Sequence, residues 1–447
     1  MAEKKKVKSI SRRDFMKAAG AGAVAARLGA NIITPGRALA GRKKLKILRW
    51  GHWVPSFNKW FDKTFVKEWG EKNDTEVTVD HIPWGYAGKA RAEIKAQKGH
   101  DLFMFPYPTG IFEEHVIDHR DIYEVCEKRY GKPIPMAIKW TYNPITNKHR
   151  GSCVGYSPHL VNYRKDLWDG VGMYPNTWED VRVGGGKIKK KYGHPVGIAI
   201  SAVTDSAYSL RAIMFSYGAS VQDEEGNVVI NSKQTLEAVK FVRALYEEAM
   251  TPDVLKWDHS SNNRFMLRGK CSLTLNPTSI TRWAEKEKMT EISSKIWLAK
   301  PPAGPVRRMA VANDTTIYVI WKFAENIEGA KQFLVDYVGN SRDSFLTSGF
   351  YNMPCFPDTV PDLKELIAND PKADPPDKYK VMEDAQVWTA SLGYPGYGNA
   401  ATEEFFIGIP EMFAKGVTGE LTPEDAIKEA EAKCKDIFAK WKKKGLV

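Results

Sequence analysis

The sequence predicts an α/β protein of two lobes, each lobe a doubly wound sheet flanked by helices. Strand-like and helix-period segments alternate from residue 45 onward, and apolar runs such as 101–105 are short enough to be buried parallel strands. A second series of strands and helices begins near residue 197. Beyond a leading segment of 40 residues, the chain of 447 residues is long enough to fill two hydrophobic cores.

The first forty residues are predicted to be a twin-arginine export signal that is removed by cleavage. A lysine-rich start leads to Arg12 and Arg13, an Ala/Gly-rich stretch follows, and the segment ends at Ala40 in an A-x-A-like cleavage site. The alternative is a membrane anchor. Against it, Arg27 interrupts the apolar stretch, and no run approaches the ~20 residues that span a bilayer.

The first lobe begins directly after this signal. Residues 45–50, 75–82 and 101–105 have strand patterns, and residues 57–69 and 85–97 have the apolar spacing of helices. Strand and helix therefore alternate, as in a doubly wound lobe.

The second lobe is predicted from a similar series. Residues 197–200 and 272–275 are strand-like, with helices at 207–217 and 233–250 between them.

The last part of the chain adds one strand and two helices. Residues 311–321 form a strand candidate, and 327–338 carry apolar residues at helical spacing. Thr422 is predicted to cap a final helix, with Pro423 in its first position and Asp425 completing a box-like pattern.

Charge and cysteine usage exclude two classes of function. Residues 1–40 hold nine basic and two acidic residues. The remaining chain therefore has 57 basic and 52 acidic residues and a net charge of +5. This is too small to indicate nucleic-acid binding. The cysteines lie singly, without the spacing of zinc or iron–sulfur sites, and any pairing is left open; they are Cys126, Cys153, Cys271, Cys355 and Cys434.

Other motifs in the sequence give little indication of function. Residues 184–187 read Gly-Gly-Gly-Lys but lack the spacing of a phosphate loop, which indicates a loop before or within a helix. His115 and His119 could share a helical face with Asp118, but without a third ligand a solvated surface is the better interpretation. No G-x-S-x-G or H-E-x-x-H motif is present, so no catalytic residue, metal or cofactor is predicted.

Four segments, in a fixed order, resemble the family of extracellular solute-binding proteins that includes maltose-binding protein. Residues 161–168 with 175–181 are similar to the family's "yNkdlf … PkTWeel" segment, and 264–273 to its "F..Gk.am" strand entry. Residues 328–334 resemble its "eaAkeFl" helix, and 416–426 its "G..speeAl" ending.

The resemblance implies a type II periplasmic-binding-protein fold with a ligand cleft at the hinge. One lobe would comprise residues 41–155 plus 312–375, and the other 156–311 plus 376–447. It also implies a periplasmic protein, or one on the cell surface where an outer membrane is lacking. Such a protein would be a non-enzymatic monomer that captures a small polar solute, a sugar, oligosaccharide or polyol, by hinge closure. It would deliver this solute to the transmembrane subunits of an ABC permease. The twin-arginine signal adds the twin-arginine translocase as a partner during export.

The candidate ligand-binding residues of the first lobe, together with Tyr156 at its predicted boundary, are aromatic or heteroaromatic. Ligands of open α/β sheets bind beyond the carboxyl ends of strands, and rings at those ends offer flat faces to sugars or cations. The alternative for each ring is a place in the core. The candidates are Trp50, His52, Trp53, Trp84, Tyr107 and Tyr156.

The candidates across the hinge are mainly polar. Asp205 and Tyr208 are the leading pair, with Asp205 accepting from hydroxyls or an amine; the alternative is a helix N-cap. Asn276 is a further candidate there, and Asn313 and Asp314 are candidates near the return crossing to the first lobe; turn formation is an equal alternative for all three.

The aromatic and glycine-rich segment 388–398 is also expected to line the cleft, through Trp388 and Tyr394. One departure from the family argues against maltose as the ligand. Where maltose-binding protein has a sugar-stacking tryptophan after an Asn-Gly-Pro turn, this chain has Asn-Pro-Thr-Ser at 276–279.

Several alternatives stay open at this stage. The same fold could bind a polyamine, an organic acid or a metal chelate. A chemoreceptor adaptor would differ only in its partner. An exported hydrolase or oxidoreductase is the alternative from another class, although the chain has no motif for either.

Overall fold

A mixed six-stranded sheet forms the centre of the first lobe, and a smaller three-stranded sheet that of the second. The computed structural model describes residues 42–447 except 84, 108 and 313. The predicted export signal, with Arg12, Arg13 and Ala40, lies outside the described residues.

The strands, in chain order, are β1 (Lys43–Trp50), β2 (Thr75–Ile82), β3 (Leu102–Phe105), β4 (Tyr142–Asn143), β5 (Lys148–His149), β6 (Ser152–Ser157), β7 (Leu160–Arg164), β8 (Leu273–Asn276), β9 (Ile296–Ala299), β10 (Ala310–Val311), β11 (Asp314–Ile320), β12 (Met353–Pro354) and β13 (Thr389–Ala390).

The α-helices, in chain order, are α1 (Pro55–Trp60), α2 (Val66–Lys72), α3 (Tyr86–Ala96), α4 (Arg120–Tyr130), α5 (Pro135–Thr141), α6 (Lys165–Asp169), α7 (Trp178–Tyr192), α8 (Thr204–Ser216), α9 (Lys233–Ala249), α10 (Ser261–Leu267), α11 (Ser279–Lys286), α12 (Thr290–Ser293), α13 (Ile327–Gly339), α14 (Ser341–Thr347), α15 (Leu363–Ala368), α16 (Ala385–Trp388), α17 (Ala400–Glu404), α18 (Gly408–Thr418) and α19 (Pro423–Lys442). Short 3₁₀ helices occur at Gly110–His115, Pro252–Lys256, Pro357–Thr359 and Lys378–Met382, and a π-helical turn at Phe61–Phe65 joins α1 to α2. Among the described helices, none is long and apolar enough to cross a bilayer.

The six-stranded sheet has the order β12-β6-β11-β3-β1-β2. β1 pairs in parallel with β2 and β3, whereas β11 runs antiparallel to β3 and β6. All four residues of β3 are buried, as the apolar run 101–105 predicted. Because β1 and β3 are parallel, Trp50 at the end of β1 and Tyr107 shortly after β3 lie at the same edge of the sheet.

The second sheet has the order β8-β7-β9, with antiparallel pairing throughout. The strand predicted at 197–200 does not form. A single parallel bridge joins Val196 to Leu273, and the N–H of Ile200 donates to the carbonyl of Val254 in a 3₁₀ helix. These residues are buried as predicted, but a single bridge to β8 and the 3₁₀ helix at Pro252–Lys256 provide their backbone hydrogen bonds instead of a strand ladder.

Helix starts follow the side chains that cap them. Thr422 accepts a hydrogen bond from the N–H of Asp425 at the start of α19, as predicted, and the Thr422 hydroxyl donates to the Asp425 carboxylate. Thr177 and Asp180 form a full capping box on α7. The glycines at 184–186 lie within α7, so they form no phosphate loop.

Buried apolar residues form two main clusters, one around each sheet. The chain passes from β6 to β7 over residues 158–159 and returns from β9 to β11. Trp388 packs in the first cluster and Ala400 in the second.

Candidate functional site

A cavity of about 370 Å³ lies between the two lobes, within the size range of small-molecule sites. We call it the cleft cavity. Its aromatic lining residues are Trp50, Trp53, Tyr86, Tyr107, Tyr208 and Tyr351. Its polar lining residues are Thr204, Asp205, His259, Asn263, Asn276 and Ser279.

The first lobe supplies an aromatic wall from the ends of neighbouring elements. Trp50 ends β1, and its ring centroid lies 5.9 Å from Trp53 and 6.4 Å from Tyr351. Tyr86 begins α3 and meets Tyr107 edge to face at 6.1 Å. Each ring is thus held by another ring before any ligand arrives.

The second lobe supplies polar groups from the start of α8. The N-cap of this helix is Val203, so Asp205 lies in the first turn and is not the cap. A carboxylate there is stabilised by the helix dipole. Tyr208 follows three residues later, and both Asp205 and Tyr208 contribute to the cavity wall.

His259 reaches the cavity from the loop before α10. The Thr204 hydroxyl lies 2.7 Å from its Nδ1. Burial lowers the pKa of His259, while the Asp258 carboxylate opposes that shift. The imidazole is therefore neutral at neutral pH and offers hydrogen bonding without charge.

Asn276 and Ser279 form the floor near the end of β8. Asn276 Nδ2 donates to Ser279 Oγ at 2.7 Å, and its Oδ1 accepts from Asn262 at 3.1 Å. The turn chemistry considered for Asn276 is present, and its side chain still belongs to the cavity lining.

The cavity carries little charge. Among the described lining residues, Asp205 is the only carboxylate, and none is lysine or arginine. Burial, reinforced by the nearby Glu403, raises the pKa of Tyr107 to about 12, so its phenol stays neutral. No group of three potential metal ligands occurs in the described part of the chain. The electrostatics favour a neutral or cationic ligand over an anion.

Six predicted site residues come together here, namely Trp50, Trp53, Tyr107, Asp205, Tyr208 and Asn276. Trp84, Asn313 and the side chain of Asp314 lie outside the described residues.

His52 and Tyr156 lie behind the aromatic wall instead of in it. His52 Nε2 lies 3.1 Å from Asn352 Oδ1, and burial lowers the pKa of His52 to about 3. Its ring stacks on Trp50 at 5.0 Å, so it supports a lining residue. Tyr156 is buried in β6, within the first cluster.

Trp388 and Tyr394 also lie away from the cavity. Trp388 is buried and donates through Nε1 to Asp384 at 2.9 Å. Tyr394 packs on Phe215 and accepts a hydrogen bond from Arg307. The predicted aromatic loop therefore serves packing between the protein's own elements.

Sequence reasoning missed half of the aromatic and polar lining: Tyr86, Thr204, His259, Asn263, Ser279 and Tyr351. Tyr86 could have been found, because it follows a predicted strand and starts a predicted helix. His259 and Tyr351 lie in irregular segments, where no periodic pattern indicates which way a side chain points.

Comparison with known protein families finds a match over most of the chain. The family model described as "Bacterial extracellular solute-binding protein" matches residues 54–348.

Two curated relatives share 22% identity with the chain. One is the arabinooligosaccharide-binding protein of Bacillus subtilis (strain 168), matched over 299 residues, 60% of this chain and 64% of the relative. The other is a binding protein of Brucella abortus (strain 2308), matched over 195 residues, 42% of this chain and 46% of the relative. The matches thus span about half to two thirds of these relatives.

Solved structures match nearly the whole described chain. Maltose-bound MalE3 of T. maritima has a TM-score of 0.71 at 19% identity, covering 88% of this chain and 99% of that one. A sugar transporter protein from Arthrobacter chlorophenolicus A6 with bound laminaribiose has a TM-score of 0.71 at 17% identity. This match covers 89% of this chain and 99% of that one. An ABC transporter solute-binding protein from Agrobacterium radiobacter K84 in complex with ribitol has a TM-score of 0.67 at 16% identity. This match covers 90% of this chain and 100% of that one. The predicted two-lobed fold is confirmed.

Proposed function

The chain belongs to the bacterial extracellular solute-binding protein family, as its motifs predicted, and from this we propose that it is the substrate-binding component of an ABC importer. Its ligand would be a sugar, oligosaccharide or polyol. The proposal includes export through the twin-arginine route, a periplasmic or cell-surface location, a monomeric state and a membrane permease as partner.

The observation that carries this proposal is the division of the cleft cavity into an aromatic wall and a polar wall. Ring faces such as those of Trp50 and Trp53 pack against the C–H faces of a pyranose. Asp205 accepts from two neighbouring hydroxyls, and Asn263 offers both a donor and an acceptor. This is the chemistry of a neutral polyhydroxylated ligand.

Lobe closure would convert binding into a signal. The two walls belong to different lobes, so a ligand that contacts both favours the closed arrangement over an open one. A permease that recognises the closed arrangement would then receive only loaded protein. No bond in the ligand is made or broken in this scheme.

The relatives agree with this ligand class. Maltose, laminaribiose and ribitol, named in the three structures, are all uncharged. An organic acid is disfavoured here, because Asp205 would repel it and no described lining residue is basic. A polyamine is the second candidate, since a carboxylate surrounded by rings also suits a cation.

A thermal-shift panel on the mature protein tests the proposal. Neutral mono- and oligosaccharides, polyols, polyamines and organic acids are each added, and the unfolding midpoint is measured. A neutral sugar or polyol should raise the midpoint, with a Kd near micromolar by calorimetry, equivalent to about 8 kcal/mol. If only polyamines raise it, the second candidate replaces the first. Native mass spectrometry of freshly purified protein supplies an independent test through any retained ligand.

A further inference from the structure

Two of the five cysteines face each other inside the first lobe. Cys153 Sγ lies 3.5 Å from Cys355 Sγ, although 202 positions separate them in the sequence. Both side chains are fully buried. The remaining three are placed elsewhere: Cys126 on α4, Cys271 in a small cluster beneath α10, and Cys434 on α19.

The backbone on both sides of this contact is fixed by a strand ladder. Cys153 belongs to β6, and Cys355 directly follows β12. β12 pairs antiparallel with β6 through Met353 to Tyr156 and Pro354 to Gly155. This ladder ends one residue before Cys355 and two residues from Cys153, so it holds the two segments that carry the cysteines next to each other. The sulfurs, now 3.5 Å apart, need to approach by about 1.5 Å to reach the ~2.05 Å of an S–S bond.

We infer that Cys153 and Cys355 form a disulfide in the mature protein. The oxidant is a disulfide-bearing thiol compound or protein of an oxidising compartment. One thiolate attacks the donor disulfide and expels one thiol, and the second cysteine then attacks the mixed disulfide and expels the other. One S–S bond forms and one breaks, both cysteine protons pass to the departing thiols, and the donor takes up two electrons.

The surroundings determine how this reaction proceeds. Burial, together with the contact from Cys153, raises the pKa of the Cys355 thiol well above its usual range. Attack by the thiolate is therefore slow in the closed lobe. Local opening that admits the donor should accelerate it, and re-closure then shields the product from reductants.

The bond would hold a wall of the cleft cavity. Tyr351 lies four positions before Cys355, and its carbonyl accepts from Ser157 Oγ at 2.9 Å. A link between Cys153 and Cys355 ties this segment to β6 covalently, beside the first crossing between the lobes. It should therefore raise the resistance of the first lobe to unfolding while leaving the ligand contacts in place.

The experiment uses the mature wild-type protein and does not depend on where the protein resides or what it binds. Fully reduced protein is incubated with oxidised glutathione, both in buffer and in urea below the unfolding transition. Thiols are then titrated after denaturation, and a non-reducing digest is analysed by mass spectrometry. We expect two fewer free thiols than the five in the sequence, a peptide linking Cys153 to Cys355, and a midpoint several degrees higher than after reduction.

Matched cysteine variants complete the test. C126S should still lose two thiols and keep the redox-dependent midpoint, whereas C153S should lose both effects. The inference is overturned if all five wild-type thiols stay free with and without urea, if glutathione adducts are the only products, or if the linked peptide joins another pair. Since the wild-type result decides the question, poor folding of C153S does not obscure it.

Discussion

Asp205 is the one carboxylate among the described residues that line the cleft cavity, and it lies in the first turn of α8, where the helix dipole favours negative charge. Replacement by Asn keeps the size of the side chain but removes the charge and half of the acceptor capacity. Hydrogen bonds to a charged group contribute about 1.5–3 kcal/mol, so D205N should weaken sugar binding between about tenfold and a hundredfold. Isothermal calorimetry with a ligand found in the panel measures this change.

The control for Asp205 is an acidic residue on the same lobe that lies outside the cavity. Asp253 is exposed on a 3₁₀ helix, and D253N should bind as tightly as wild type. The unfolding midpoint of both variants should stay near that of wild type. Unchanged affinity in D205N would remove Asp205 from the ligand contacts.

The candidate site illustrates what a sequence conveys about single residues. Trp50 and Tyr107 could be predicted because apolar strand patterns locate strand ends, and strand ends locate the edge of a parallel sheet. His52 follows the same strand, yet it turns inward to Asn352, a contact across 300 positions. Sequence patterns carry no information about such long-range partners. The predicted residues therefore located the cleft cavity, but some of them do not line it and several lining residues were not predicted.

At the scale of elements, α7 contains three consecutive glycines, and the packing of the helix requires glycine at only two of these positions. A Cβ on Gly184 would lie 2.5 Å from Cζ3 of Trp168, and one on Gly185 would lie 2.4 Å from Cγ2 of Val196. A Cβ on Gly186 would meet its nearest neighbour, the carbonyl oxygen of Glu248, at an ordinary 3.5 Å. The close approach of α7 to the second lobe's core therefore requires glycine at the first two positions but not at Gly186.

This difference predicts opposite effects for the same substitution. Alanine within a helix is favoured over glycine by about 1 kcal/mol, so G186A should leave stability unchanged or increase it by up to that amount. G184A gains the same propensity but forces apart the helix and a buried indole, and overpacking typically costs 1–3 kcal/mol. Urea denaturation should therefore rank G186A at or above wild type and G184A below it.

Substitution of Gly185 tests the same packing argument at a second position. G185A should be destabilised like G184A, because the Val196 methyl it would meet is buried. Equal midpoints for all three alanine variants would mean that α7 shifts freely on the lobe, contrary to the close contacts described.

Helices were predicted more fully than strands, for a physical reason. α9 and α13 carry a local periodicity, and Ser232 and Asn326 cap their starts, so their positions are set within the segment itself. A strand needs a partner elsewhere. Residues 197–200 are as apolar as a strand requires, but only Val196 finds a bridge at Leu273. The continuous helix predicted at 57–69 is also divided, by the π-helical turn at Phe61–Phe65.

At the scale of the whole molecule, the lobes are joined near the cavity by a buried carboxylate. Glu403 on α17 accepts from the N–H of Gly110 at 2.7 Å and of Ile111 at 3.2 Å, on the first lobe. Arg150 Nη2 lies 3.7 Å from Glu403 Oε1, and Arg150 Nη1 lies 3.8 Å from Glu113 Oε2. One arginine thus faces two carboxylates in a region closed to water.

Burial raises the pKa of Glu403 to about 7 and Glu113 adds to the shift, although Arg150 and the two N–H groups oppose it. In the unfolded chain this pKa is about 4.5. Between these values the folded protein binds more protons than the unfolded chain, so stability falls as pH rises. The contribution is complete below about pH 4.5 and is lost as pH rises through about 7.

Substitution of Glu403 by Gln isolates this effect from other titrating groups, such as the buried histidines, which both proteins share. The amide oxygen of Gln still accepts from Gly110, and the side chain carries no charge at any pH. Relative to E403Q, wild type should lose up to about 3 kcal/mol of unfolding free energy between pH 5 and pH 8. Urea denaturation at pH 5, 6, 7 and 8 gives the difference at each pH. A difference that stays constant would mean that Arg150 keeps Glu403 ionised throughout, and that the contact between the lobes does not respond to protons.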